Sequence, residues 1–92
     1  SAVPREIDPA KVRALLEGQQ GVARVHDLHI WPMSTTEAAL TAHLVMPGGH
    51  PGDEFLVRMQ QALAHDHGIE HVTLQIEISE DIPCLLHDEN CV

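Results

Sequence analysis

Tyrosine is absent from this chain, and Trp31 and Phe55 are its only aromatic residues. A core must therefore be aliphatic, built from Val, Leu, Ile, Ala and Met. Basic residues are also few. Five Lys and Arg stand against fourteen Asp and Glu, a formal net charge of −9 over 92 residues. That balance excludes nucleic acid as a partner, because its binding needs a basic footprint. It also concentrates cations. No apolar run approaches the roughly 20 residues that span a bilayer. No signal peptide is visible, and the chain is expected to be soluble as it stands. Cysteine is scarce too: Cys84 and Cys91 both lie near the C-terminus. A disulfide between them would close a small loop and stabilise little of the fold. There is no nucleophile elbow, no phosphate-cradling glycine loop and no Cys–His pair inside the expected fold, which argues against an enzyme. The start, Ser1-Ala2-Val3-Pro4, lacks a methionine, so a piece of something larger is expected.

What the chain has in quantity is histidine, eight in all. The run Val25-His26-Asp27-Leu28-His29-Ile30-Trp31 sets two of them and an aspartate among β-favouring apolar residues. Imidazoles on a strand are rigidly aimed, which suits metal ligation and also a pH-sensitive contact. With 43% hydrophobic residues the chain should fold, and its length allows one domain.

The local signals give the order αββαβ. Asp8-Pro9 starts a helix, Asp as N-cap and Pro at the first helical position, and the helix runs over residues 9–17. Strand one is expected over residues 22–31, ended by Pro32. Ser34-Thr35-Thr36 turns the chain into strand two, residues 37–46, so the two form a hairpin. Gly48-Gly49 superficially suggests an anion site, but Asp53 at the next helix start competes with phosphate, so a turn plus an N-cap is expected there. The second helix spans residues 53–67, with Gly68 as its stop. His65 and His67 flank Asp66 at its end, where cations complement the helix dipole. Strand three covers residues 69–78, and residues 80–92 form a tail.

Period-two alternation separates the faces of the sheet. Val72, Leu74, Ile76 and Ile78 point one way; His71, Thr73, Gln75 and Glu77 point the other. Leu40, Ala42 and Leu44 share one face, and Thr41, His43 and Val45 share the opposite one. Two helices can cover only one face of three strands. The open face therefore carries Thr41, His43, Val45, Thr73, Gln75 and Glu77, a poor solvent surface and a reasonable homodimer surface. His43 and Glu77 there suit a divalent metal such as zinc; a wet His–Glu hydrogen bond is the alternative. Strand one is ambiguous. If Leu28 and Ile30 face the helices, alternation puts Asp27 and His29 on the open face and His26 inward, unless a bulge releases it. In the tail, Cys84, His87 and Cys91 lie three and four residues apart, a metal-ligand spacing or an acidic tail with idle thiols.

The segments His26-Asp27-Leu28-His29-Ile30-Trp31, Leu40-Thr41-Ala42-His43-Leu44-Val45 and His71-Val72-Thr73-Leu74-Gln75-Ile76-Glu77 occur in this order. Together they resemble the C-terminal cytosolic domain of cation diffusion facilitators, in particular the bacterial CzcD-like, zinc-transporter-like branch. The likeness covers about residues 8–91. It implies an α+β, ferredoxin-like (metallochaperone-like) αββαβ sandwich: a three-stranded sheet with two helices on one face. It implies a single regulatory domain over residues 1–92, a homodimer, linked covalently to a transmembrane transport domain not contained in this chain. The whole would be a divalent-cation/proton antiporter of the inner (plasma) membrane with this domain on the cytoplasmic face. Zn²⁺ is the implied metal, with Cd²⁺ and Co²⁺ as alternatives. Binding is implied to tighten the dimer and bias transport. The resemblance assigns His26, His43 and Glu77 to one shared metal site. Cys84 and His87 match a C-terminal Cys-x-x-Cys pair with histidine in place of the second cysteine, and Cys91 matches a trailing cysteine. Asp53 lies near a helix-start residue that reaches the interface metals in some relatives. For strand one, alternation favours His29 and the resemblance favours His26. A stand-alone, soluble metal-buffering or chaperone-like domain is the alternative function.

Overall fold

The structure, a computed structural model, describes residues 6–79; Cys84, His87 and Cys91 lie outside them. The elements are α1 (Pro9–Glu17), β1 (Arg24–Pro32), β2 (Ala38–Val45), α2 (Asp53–His67) and β3 (His71–Glu77), the expected αββαβ order. Asp8 caps α1 by accepting from the Ala10 amide at 3.0 Å, with Pro9 at the first helical position. Gly68 ends α2 in the left-handed region at φ 73°, where a Cβ would crowd the backbone. One expectation is corrected. Asp53 does not cap α2: Gly52 does, at φ 97° and without a side-chain cap bond. Only glycine takes that turn easily, so Asp53 falls inside the helix, where its charge complements the dipole.

The strands are shorter at their starts than the apolar patterns suggest, because turns claim the first backbone groups. The Val22 amide bonds to the Gln19 carbonyl, and that of Ile69 to the Leu63 carbonyl. The hairpin turn is closed by Ser34 Oγ, which accepts from the Thr36 and Glu37 amides.

The sheet order is β1-β2-β3. β1 pairs antiparallel with β2, and β3 pairs parallel with β2, which requires the crossover through α2. Val12 and Leu16 of α1 and Phe55, Met59 and Leu63 of α2 pack on Val25, Leu40, Ala42 and Leu44. Fully burying a leucine of this kind contributes about 1.5–3 kcal/mol. The main core cluster is aliphatic apart from Phe55 and occupies one face of the sheet, while Ala39 and Val45 are buried on the other. Among the described residues no helix is long and apolar enough to cross a membrane.

Candidate metal centre

Three strands deliver the side chains of the other face. On β2, residues 41, 43 and 45 alternate with the core residues Leu40, Ala42 and Leu44. The parallel register sets Gln75 opposite His43 and Glu77 opposite Val45. The end of β3 is pinned there, because the Met46 amide donates to the Glu77 carbonyl at 2.7 Å.

β1 joins this face through a bulge. Its pairing runs from His26 opposite His43 to His29 opposite Thr41, so one more residue is spent on β1 than on β2. Asp27 absorbs the excess at φ 53°, the only positive φ of a non-glycine residue among those described. Aspartate tolerates that region better than most side chains. Val25 points into the core opposite Leu44 and His26 faces the same way as His43, and the bulge lets Ile30 return to the core side opposite Leu40. His29 shares the open face too, but it lies opposite Thr41 and its side chain is 62% exposed.

The geometry around Glu77 is tight. Oε1 lies 2.6 Å from His26 Nε2. Oε2 lies 2.8 Å from His43 Nδ1 and accepts from Gln75 Nε2 at 3.2 Å. One carboxylate thus spans two imidazoles, whose rings meet edge to face with centroids 5.0 Å apart. Asp27 completes the group: Oδ2 is 3.9 Å from His43 Nδ1 and Oδ1 is 3.5 Å from His29 Nε2. Ligand atoms of His26, Asp27 and His43 all fall within 4.8 Å of one another. His26 is 2% exposed, whereas the Glu77 and His43 side chains keep 20% and 28% of their surface, so the group is shielded on the His26 side and open on the other.

His43 Nδ1 is buried and makes no hydrogen bond among the described residues. Its 2.8 Å approach to Glu77 has the length of a hydrogen bond but not the direction. Leaving a buried polar atom unsatisfied costs about 1–3 kcal/mol. A cation held between the imidazoles and carboxylates would use that lone pair. Two nitrogens and two carboxylates form a donor set that suits zinc or a neighbouring divalent transition metal.

A family model described as "cation efflux protein, cytoplasmic domain" matches residues 4–79. The chain belongs to that family. This efflux-protein domain is 39% identical over 83 residues to the metal cation efflux system protein CzcD of Cupriavidus metallidurans, covering 89% of this chain and 25% of that protein. It is 34% identical over 77 residues to the cadmium, cobalt and zinc/H(+)-K(+) antiporter of Bacillus subtilis, covering 80% of this chain and 24% of that protein. The domain thus spans about a quarter of the length of these two relatives. Among solved structures, the metal-bound C-terminal domain of the CzcD transporter from Cupriavidus metallidurans superposes with a TM-score of 0.68 at 39% identity, over 77% of this chain and 99% of that one. The α+β architecture expected from the sequence is the architecture of that neighbour.

Of the sequence-derived site residues, His26, His43 and Glu77 come together. Asp53 is exposed on the first turn of α2 and is not part of the converging group. Cys84, His87 and Cys91 lie outside the described residues. Asp27 was not singled out from the sequence. The available signal was the conflict on strand one between alternation and an outward His26: resolving it needs one extra residue, and Asp27 is the one suited to a left-handed backbone.

Proposed function

We propose that this domain is the dimerising, metal-binding regulatory part of a divalent-cation/proton antiporter that exports zinc from the cytoplasm, with cadmium and cobalt as further substrates. The observation that carries the reading is Glu77, whose two oxygens span His26 and His43, beside a buried His43 Nδ1 that makes no hydrogen bond among the described residues. His26, His43, Glu77 and Asp27 would hold the regulatory ion. Bound there, it would neutralise carboxylates on the open sheet face. Cys84, His87 and Cys91, with Asp53, are the candidates for an adjoining position. The names of the relatives support zinc, cadmium and cobalt as the metals. The family's description as a cytoplasmic domain supports a place on the cytoplasmic side of a membrane transporter, with the transport domain elsewhere in the full-length protein.

The open face is the surface proposed to meet a second copy. Two such faces would bring acidic groups together in a molecule already carrying −9. An ion that binds the closed dimer more tightly than the open one shifts the pair toward closure; equal affinity would shift nothing. Protons compete for the same imidazoles and carboxylates, so binding weakens on acidification. Calorimetry with Zn²⁺, Cd²⁺ and Co²⁺ tests the site: His43→Ala should weaken zinc binding by at least about tenfold. Small-angle scattering with and without zinc tests the switch. A wild-type domain that takes up no zinc, or scattering curves that coincide at saturating zinc, would overturn the proposal.

A further inference from the structure

We propose that Arg13 on α1 is a positioning residue that holds the His26–Asp27 corner in the conformation the metal centre needs. Its affinity readout rests on the reading above; its conformational readout does not.

Arg13 Nη1 donates to the Val25 carbonyl at 2.9 Å, a part-buried bond from helix to strand. Val25 immediately precedes His26 and lies on β1, an edge strand whose one neighbour is β2. A bulge interrupts the ladder and leaves backbone groups without strand partners. The carbonyl that Arg13 holds belongs to the same rigid peptide plane as the nitrogen and Cα of His26. Fixing that plane fixes the axis about which His26 turns, one residue before Asp27 at φ 53°. The donor is well anchored. Its helix neighbours Val12 and Leu16 are fully buried, and Glu17 lies 3.8 Å from the same Nη1. A guanidinium is suited to the task because its donors sit in a planar fork and its charge strengthens the bond. Arg13 therefore acts on the centre through the backbone of its neighbour, from the opposite side of the sheet.

The test compares Arg13→Met, which keeps the apolar stem and removes the donors, with Arg13→Lys, which restores one cationic donor. In the metal-free domain, backbone scalar couplings and Cα/Cβ shifts of Asp27 report its left-handed φ; calorimetry with Zn²⁺ reports the centre. Arg13→Met should lose the left-handed signature and bind zinc about tenfold more weakly, the range seen when supports of metal ligands are removed. Arg13→Lys should recover part of both. Should Arg13→Met fail to fold, Arg13→Leu, which also lacks a side-chain donor, carries the same expectations. An unchanged Asp27 signature with unchanged zinc affinity in the donor-free variant overturns the proposal. So does a weakened affinity that Lys leaves uncorrected while Asp27 keeps its φ. If wild type takes up no zinc but Asp27 still responds to Arg13, positioning stands and the metal reading fails.

Discussion

Asp27 couples two demands in one residue. Its backbone adopts a conformation that glycine takes more readily, and its carboxylate sits 3.9 Å from His43 Nδ1. Asparagine shares the tolerance for that backbone and lacks the charge. Asp27→Asn should therefore leave the metal-free domain within about 0.5 kcal/mol of wild type in urea unfolding, while calorimetry shows several-fold weaker zinc binding. At this scale the sequence was informative where periodicity is rigid. His43 and Glu77 were placed on one face by counting in twos, because nothing interrupts β2 or β3. His26 could not be placed that way: alternation sent it inward, and only the resemblance favoured it. A single inserted residue inverts every later assignment on a strand, and composition does not reveal where the insertion falls. The role of Gln75, which anchors one oxygen of Glu77, was equally hidden, since it depends on rotamers rather than on faces.

At the scale of elements, both helices match the expected residues because their ends are marked chemically. Asp8-Pro9 opens one and Gly68 closes the other. Gly68→Ala should destabilise the domain by about 1–2 kcal/mol, the cost of a Cβ in the left-handed region, read as a shift in urea midpoint without a change in slope. The strands were overestimated because their flanking apolar residues, Val22 and Ile69, look like strand and serve as turn. Each spends its amide on the turn that follows a helix. Asp53 was misjudged for a related reason. Aspartate is a good cap, but Gly52 ahead of it takes the cap position at a φ of 97° and leaves Asp53 as the first helical residue. Arg13 shows a further limit of pattern. Its place on α1 was evident, yet its bond to Val25 needs the helix and the strand at their final separation.

For the molecule as a whole, the sequence conveyed charge and layering correctly: an acidic domain with two helices on one side of a three-stranded sheet. The net charge of −9 would make the proposed association of two copies a salt-dependent event. Metal-free dimerisation, measured by sedimentation velocity, should strengthen as ionic strength rises, because like charges farther apart than about 8 Å are screened at physiological salt. Zinc should flatten that dependence. The path of the chain adds a final consequence. His26 and His43 belong to a hairpin that closes by local search. Glu77 sits on a strand that pairs in parallel and must wait for the crossover helix, a non-local step of the kind that slows folding. The amide of Met46 on the Glu77 carbonyl is among the links that secure it. The proposed centre is thus complete only once β3 has docked, so a metal bound there would act as a seal on the finished fold and not as the nucleus that starts it.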